Sequence, residues 1–276
     1  MAIIGVVSGK GGVGKTTLVS SLAYALNELD KKVLIVDCNV STPHLSYYLG
    51  VSDYKYTIND IFQGKIDPIS AISYCDGVRY IPASLKMEDL VNVDPMLFYS
   101  QVSKLSKIYK FDFIFLDSAP GMGREALSVL QSSEEVIFVT TPFVPMINDI
   151  LRVKRVLKEF KQIRAAKLVL NMVTGGKHEI ASNYISKLTS LPLLGEIPYD
   201  SSVIYSLVNK SPVIRYQPNS LASLSIRKIA HQLVGKDYKA PKMSKINILR
   251  KIFSMFPNTA APESYEQFKK EVLVKH

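Results

Sequence analysis

Short apolar runs alternate with segments of helical spacing along most of the chain. The runs are rich in Val, Ile, Leu and Phe, a pattern typical of strands buried on both faces of a parallel sheet. They predict strands at residues 3–7, 33–36, 77–82, 111–116, 136–139, 168–170 and 193–197. The helical spacing predicts helices around residues 18–29, 95–109, 122–132, 146–164, 178–188 and 219–234. Together they predict an α/β fold with a doubly wound, mostly parallel sheet flanked by helices.

The composition changes near residue 235, where a Lys-rich linker follows the last predicted helix. We expect one domain over residues 1–235 and a C-terminal segment over residues 236–276. Within that segment, residues 244–256 have the spacing of an amphipathic helix. Its apolar side holds Ile246, Leu249, Ile252, Phe253 and Phe256, and its charged side holds Lys245, Arg250 and Lys251. For residues 257–276 we expect either a second interaction element or a disordered end.

With 276 residues, of which 47% are hydrophobic, the chain is long enough to bury a full core. No apolar run approaches the roughly 18 residues of a membrane span. The N-terminus lacks the basic region of a secretory signal. The two cysteines, Cys38 and Cys75, form neither a C-x-x-C pair nor a metal-ligand set, so we expect buried or incidental thiols in a reducing compartment.

The net charge of +10 is concentrated in two segments. Residues 152–167 carry seven Lys or Arg and one Glu, and residues 236–256 carry six Lys or Arg and one Asp. Such segments favour anionic surfaces as partners, either lipid or nucleic acid. For residues 152–167 the alternative is an ordinary solvated helix face opposite a buried apolar stripe.

Residues 9–17 connect the first predicted strand to the first predicted helix and read Gly-Lys-Gly-Gly-Val-Gly-Lys-Thr-Thr. They match the pattern G-x-x-x-x-G-K-[ST], whose glycines let backbone N–H groups approach a phosphate at a helix N-terminus. In this pattern Lys15 reaches the β- and γ-phosphates and the Thr16 hydroxyl binds Mg²⁺. The pattern does not require the second lysine, Lys10. A charge there can reach the nucleotide of a facing subunit, as an arginine finger does.

Two carboxylates end predicted strands at the sheet edge where ligands of parallel sheets bind. Asp117 follows the run 111–116, and Asp37 follows the run 33–36. Beside a P-loop, this placement predicts two groups that hold Mg²⁺ through water, with Asp37 also able to position a water molecule. The alternative for Asp37 is a plain turn aspartate. Gly121, in the loop after Asp117, can present its backbone N–H to a γ-phosphate and so sense the nucleotide.

Together these motifs resemble the ParA/MinD superfamily of P-loop ATPases. Residues 10–17 are similar to its deviant Walker A motif, residues 36–50 to its switch I and residues 112–121 to its switch II. The resemblance covers residues 1–235 and implies the P-loop NTPase fold with ATP or ADP and Mg²⁺ as ligands. It also implies a homodimer that encloses ATP, in which Lys10 reaches across to the nucleotide of the facing subunit. It also implies nucleotide contacts. The phosphate side takes Gly11, Gly12, Val13, Gly14, Lys15, Thr16 and Thr17, with Thr17 at the α-phosphate, and the adenine side takes Asn171, Pro198 and Asp200.

Switch I departs from the family pattern at one residue. Many members have Asp-x-Asp, whose second Asp helps to position the attacking water, whereas this chain has Asp37-Cys38-Asn39. Asn39 can hydrogen-bond a water molecule but cannot accept its proton. Because phosphoryl transfer relies mostly on positioning and electrostatics, we expect slow hydrolysis and a long-lived ATP-bound dimer.

The C-terminal segment favours the MinD-like branch, whose members bind membranes through a basic amphipathic helix. We expect residues 244–256 to place apolar side chains in the acyl boundary and basic side chains at anionic headgroups, at ~1 kcal/mol each. One helix binds weakly, so pairing two helices in an ATP dimer lets avidity control membrane residence. The alternative is a helix packed on its own domain or on a partner. In this branch the helix usually ends the chain, whereas residues 257–276 follow it here.

We therefore expect a slow, partner-stimulated ATPase in the cytoplasm, peripheral on the inner face of the cell membrane. It would recruit or position an unidentified protein in cell division or spatial organisation. A ParA-like partition ATPase that binds DNA through residues 152–167 is one alternative, with nucleic acid the less favoured partner. A non-hydrolysing, nucleotide-dependent scaffold is another. Members that carry a metal cluster between subunits need bridging cysteines, and Cys38 and Cys75 lack that motif.

Overall fold

The computed structural model describes residues 1–90, 102, 105, 110–157 and 159–240. Its strands are β1 (Ala2–Val7), β2 (Val33–Cys38), β3 (Ser73–Cys75), β4 (Val78–Ile81), β5 (Phe113–Ser118), β6 (Glu135–Thr140), β7 (Ala165–Val173) and β8 (Leu193–Pro198). They form one sheet in the order β3-β4-β2-β5-β1-β6-β7-β8. Only the β3–β4 pair is antiparallel within this sheet.

The helices cover both faces of the sheet. In the described part of the chain they are α1 (Lys15–Asn27), α2 (Leu45–Leu49), α3 (Ile58–Phe62), α4 (Arg124–Ser132), α5 (Val144–Leu157), α6 (Ser182–Thr189), α7 (Ser201–Val208), α8 (Val213–Tyr216) and α9 (Leu221–Leu233). Short 3₁₀ turns lie at Pro68–Ala71 and Met87–Leu90.

The core consists of two apolar layers separated by the sheet. Along β1, Ile4 and Val6 belong to the layer shared with α1 and α9, whereas Ile3 and Val7 belong to the layer shared with α4 and α5. This alternation follows from the strand pleat, which points successive side chains to opposite faces. The predicted doubly wound, mostly parallel fold is confirmed.

The carboxyl ends of the central strands meet at one edge of the sheet. Val6 of β1 and Asp37 of β2 are both in register with Asp117 of β5. The P-loop leaves β1 at this edge and enters α1 at Lys15. The strand register therefore brings together three segments that are far apart in the sequence.

Each predicted strand corresponds to a strand of the sheet, but two predicted helices differ in length. The helix expected over residues 146–164 ends at Leu157, after which Phe160 N donates to Leu157 O and Arg164 N donates to Glu134 O as the chain enters β7. The helix expected over residues 178–188 begins only at Ser182.

Part of the predicted organisation falls beyond what the structure describes. Of the helix expected over residues 95–109, Val102 and Leu105 are helical and buried, and the rest lies outside the described residues. The amphipathic helix expected over residues 244–256 and the tail over residues 257–276 also lie outside them. Among the helices that are described, none has the length and apolar character needed to cross a bilayer.

Candidate nucleotide site

The P-loop is shaped by two glycines with positive φ. Gly12 has φ 78° and Gly14, the residue before α1, has φ 92°. At Gly14 a side chain is also excluded by space, because a Cβ there would lie 2.2 Å from Nδ2 of Asn171. That Asn171 nitrogen donates to the Val13 carbonyl at 2.8 Å, so β7 holds the loop from the side. The loop is therefore preformed around the N-terminus of α1.

Lys15 is buried beneath the loop. Its Nζ donates to Ser8 Oγ at 2.9 Å, and Ser8 Oγ donates to the Lys10 carbonyl at 2.7 Å. Burial lowers the pKa of Lys15, and the nearby Asp117 carboxylate partly opposes this shift. In the described structure this buried ammonium donates to a hydroxyl and has a carboxylate only nearby, so it is suited to an incoming anion: a phosphate would supply a directly bonded counter-charge.

Asp37 and Asp117 form a buried pair on adjacent strands. Asp37 accepts hydrogen bonds from Asn39 N and Leu45 N, both at 3.1 Å, and thereby fixes the start of α2. Burial and the charge of Asp117 raise the pKa of Asp37, and burial also raises the pKa of Asp117. Two carboxylates so placed repel each other when both are ionised.

The environment of Asp117 fits a divalent cation. Neither of its carboxylate oxygens has a hydrogen-bond partner in the described structure, although both are buried. The Thr16 hydroxyl and the Lys15 ammonium lie near enough to lower the pKa of Asp117. A hydrated Mg²⁺ would supply the missing partners of these oxygens and oppose the repulsion between the two carboxylates. Thr16, Asp37 and Asp117 are thus the residues that would hold it.

Hydrogen bonds within the protein hold both switch loops in this structure. In switch I, the Asn39 side chain closes a turn by donating to Thr42 O at 2.6 Å and accepting from Thr42 Oγ1 at 3.1 Å. In switch II, Gly121 has φ 80° and its N–H donates to Ser8 O at 3.1 Å. For Gly121 to bind a phosphate oxygen, its hydrogen bond has to be exchanged. Asn39 can donate its second amide hydrogen to a water molecule without losing its bond to Thr42 O.

A mainly apolar cavity of about 130 Å³ lies beside the P-loop, where the sequence places the adenine contacts. Asn171 and Pro198 line it at the ends of β7 and β8, and Asp200 lines it at the start of α7. The Asp200 carboxylate accepts hydrogen bonds from Ser202 N at 2.9 Å and from Ala222 N at 3.0 Å. It therefore caps α7 and fixes the start of α9, which gives this wall of the cavity a defined shape.

Lys10 lies apart from Lys15, on the open side of the loop. Its side chain is 52% exposed, and its Nζ is 3.8 Å from the Asp149 carboxylate on α5. The Asp149 side chain is only 20% exposed, and at this distance the two groups form an ion pair without a hydrogen bond. The two lysines of the P-loop thus occupy different environments, one directed into the site and one at its surface.

Three residues at the site were missed from the sequence. Ser8 and Asp149 contact the two P-loop lysines, and Tyr48 of α2 is half-buried beside the Thr17 hydroxyl, which lowers the Tyr48 pKa while burial raises it. Ser8 directly precedes the motif, so its position in the sequence could have marked it as a residue of the site. Asp149 and Tyr48 are brought in by tertiary packing of α5 and α2.

The cysteines take no part in this arrangement. Cys38 is buried, and burial raises its pKa well above the usual thiol value. Cys75 is half-buried on the edge strand β3. Within the described residues, no group of three or more His, Cys, Asp or Glu side chains is placed to hold a metal ion.

The doubly wound sheet, the P-loop and the buried carboxylate pair define a P-loop nucleoside triphosphatase. The family model described as ParA, NUBPL iron-transfer P-loop NTPase, matches residues 1–234. The chain therefore belongs to the ParA/MinD family, and it is an ATPase of the MinD-like kind.

Three similar proteins illustrate this membership. An uncharacterized ATP-binding protein of Methanocaldococcus jannaschii is 30% identical over 252 residues, which cover 89% of this chain and 92% of that protein. The septum site-determining protein MinD of Pyrococcus horikoshii, solved with Mg-ADP, has a TM-score of 0.79 and 31% identity over 84% of this chain and 95% of its own. The cell division ATPase MinD of Pyrococcus furiosus has a TM-score of 0.80 and 32% identity over 85% of this chain and 98% of its own.

Proposed function

We propose that this ATPase is a MinD-like switch that dimerises around ATP, binds a membrane surface in that form and is released by slow hydrolysis. The observation that carries the proposal is the contrast between its P-loop lysines. Lys15 is buried under the loop, whereas the Lys10 side chain is half-exposed at the rim and makes a long contact to Asp149. A cation at the rim is available to a nucleotide held by a facing subunit.

Different residues of the chain bind different parts of the nucleotide in this proposal. We infer that the loop N–H groups of residues 11–17 and Lys15 hold the phosphates, with Thr17 at the α-phosphate. Thr16, Asp37 and Asp117 would hold Mg²⁺, which when bound would neutralise phosphate charge. Asn171, Pro198 and Asp200 would bound the adenine, Asp200 through the helix starts that it fixes. Lys10 would complete the site across the dimer.

We infer that hydrolysis is slow because switch I has no second carboxylate. Asn39 replaces it and is engaged with Thr42. An amide can orient a water molecule but cannot take its proton, so the nucleophile depends on positioning by Asp37 and Asn39. A partner that reorders switch I would then accelerate turnover.

The sequence supports membrane binding, and the relatives support a role in cell division. Residues 244–256 have the composition of a basic amphipathic helix, and the Pyrococcus neighbours are described as septum site-determining and cell division proteins. We propose a cytoplasmic protein, peripheral on the inner face of the membrane, whose dimer positions a protein partner in cell division or spatial organisation.

DNA binding through residues 152–167 is the second candidate, and one observation bears on it. Arg152 and Arg155 are exposed on α5, as DNA binding requires. Two other basic side chains are partly buried and engaged within the protein, Lys154 with Thr189 O and Lys167 with Glu135, whereas Arg164 pairs with Glu134 but stays 70% exposed. The basic segment is therefore less open to phosphate than its charge of +6 suggests.

Co-sedimentation separates these functions. The full chain, with ATP or ADP and Mg²⁺, is spun with phosphatidylglycerol/phosphatidylethanolamine vesicles or with duplex DNA. We expect ATP-dependent vesicle binding that Phe253→Glu abolishes, with Phe268→Glu in the tail as the matched control. DNA binding without vesicle binding, lost in Arg152→Glu/Arg155→Glu, would establish the second candidate instead. ATP-dependent dimers without turnover under every condition would indicate the scaffold.

A further inference from the structure

The loop after β2 contains a tight turn over residues 39–42, which we call the switch I turn. Side-chain hydrogen bonds join its two ends: Asn39 Nδ2 donates to Thr42 O at 2.6 Å, and Thr42 N and Oγ1 donate to Asn39 Oδ1 at 3.3 and 3.1 Å. The Asn39 N–H donates to Asp37 Oδ1 at 3.1 Å. Because both ends of the turn hold the Asn39 side chain, a shift of the turn moves this side chain with it.

A carboxylate on another element holds the middle of the switch I turn. Ser41 Oγ donates to Glu125 Oε1 at 2.5 Å, although the two residues are 84 positions apart. Glu125 lies in the first turn of α4, directly after switch II, where a helix start favours negative charge. Burial raises the pKa of the Cys38 thiol, and three nearby carboxylates raise it further: Asp37, Asp117 and Glu125. The Ser41–Glu125 hydrogen bond therefore joins the two switch regions close to the carboxylate pair of the site.

Helix α4 is a rigid support for Glu125. Val129 and Leu130 of this helix are buried in the core layer on one face of the sheet. The helix lies directly against β1, because a Cβ at Gly5 would be 3.0 Å from Val129 Cγ1. Ser41, in contrast, is exposed. An exposed turn takes a defined position from the buried element to which it is bonded.

We propose that Glu125 is a positioning residue for ATP hydrolysis, which acts through Ser41 on the switch I turn. The inference rests on the proposed function, in which Asn39 orients the attacking water molecule. Because an amide cannot accept the proton of this water, the rate depends on where the amide is held. Glu125 fixes that place by accepting the hydrogen of the Ser41 hydroxyl, and needs no contact of its own with water or nucleotide.

A double-mutant cycle on the full chain tests this connection. Ser41→Ala, Glu125→Ala and the double variant are compared with the wild type by phosphate release with Mg²⁺ and ATP. Each single change should lower kcat by about tenfold and leave KM within about twofold, because both changes remove the same hydrogen bond. The double variant should be no slower than either single one. Glu88→Ala, which removes an exposed carboxylate from the 3₁₀ turn at Met87–Leu90, is the matched control and should keep the wild-type rate.

A conservative variant separates positioning from proton transfer. Glu125→Gln keeps a side-chain oxygen that accepts from Ser41 but loses the basic carboxylate. Its kcat should stay within about twofold of the wild type. A Glu125→Gln protein as slow as Glu125→Ala would overturn the proposal, because the charge and not the hydrogen bond would then be required. Circular dichroism and ADP affinity check the fold of each variant, and the exposed Ser41 gives the same readout if Glu125→Ala does not fold.

The remaining outcomes separate this inference from the proposed function. Wild-type kcat in both single variants overturns the inference, and so does a double variant slowed by the product of the two single effects. A wild-type chain that dimerises with ATP in sedimentation velocity but never hydrolyses it also overturns the inference and indicates the scaffold. A wild-type chain that stays monomeric with ATP, yet hydrolyses it and follows the expected cycle, removes the dimerising switch and leaves the role of Glu125 standing.

Discussion

The buried pair Asp37–Asp117 should destabilise the protein in the absence of metal, and Asp117→Asn should relieve this. Both carboxyls are buried, and burial raises the pKa of each; the charge of Asp117 raises the pKa of Asp37 further. Asp117→Asn keeps an oxygen that can still accept from the nearby Thr16 hydroxyl, and the Asp117 oxygens have no other hydrogen-bond partner in the described structure. The new amide can donate to the Asp37 carboxylate in register with it.

The pKa shift sets the sign and size of the effect. The pKa of Asp117 rises from 3.8 to about 6 on folding, and each pKa unit corresponds to about 1.4 kcal/mol, so the ionised carboxyl costs up to about 3 kcal/mol. Below the unfolded pKa both states are protonated and the cost is absent. As pH rises through the interval to the folded pKa, the unfolded state loses its proton first, and stability falls. We expect Asp117→Asn to gain about 1–3 kcal/mol at pH 8 and almost nothing near pH 4.

Urea unfolding in EDTA between pH 4 and pH 8.5 measures this difference. Asp53→Asn, which removes an exposed carboxylate, is the matched control and should change the unfolding free energy little at any pH. With Mg²⁺ and ADP present the order should reverse, because the wild type then gains ligand stabilisation that Asp117→Asn lacks. An Asp117→Asn protein no more stable than the wild type at pH 8 in EDTA would refute the reasoning.

Three further predictions concern single side chains. Asp200→Ala should lower the unfolding free energy by about 2–3 kcal/mol in urea titrations, because the partly buried Ser202 N–H and the buried Ala222 N–H lose a carboxylate acceptor. A loss below about 0.5 kcal/mol would show that they find other partners. Asn39→Asp should raise steady-state phosphate release, and an unchanged or lower rate would contradict the role given to switch I. Lys15→Ala should abolish tight ATP binding in calorimetry while the circular dichroism spectrum is retained; near-normal affinity would remove Lys15 from the phosphate site.

The parallel sheet and the P-loop were predictable because their signals are local. Continuous apolar runs mark the buried strands, and the glycines and lysine at 9–17 mark the loop whatever packs around it. The β3–β4 hairpin also had a local signal that was overlooked. Asp76-Gly77 is an Asp-Gly pair, which is typical of two-residue hairpin turns. In the structure φ is 46° at Asp76 and 93° at Gly77.

The contacts that arrange the site were not predictable in this way. Asp149 meets Lys10, and Asn171 holds Val13, only because α5 and β7 pack beside the P-loop. Asp200 was assigned to the adenine side from the resemblance, yet its carboxylate binds the first turns of two helices. These partners are separated from the loop by well over a hundred residues, so no sequence window contains both members of a pair.

The central claim is that ATP joins two subunits through Lys10. Sedimentation velocity of the full chain with Mg²⁺ and either ATP or ADP tests it most directly, with Lys10→Ala beside the wild type and Lys31→Ala, a lysine beyond the end of α1, as control. The account predicts a dimer with ATP and a monomer with ADP for the wild type and Lys31→Ala. Lys10→Ala should stay monomeric in both while still binding nucleotide. A Lys10→Ala protein that dimerises normally with ATP would contradict it.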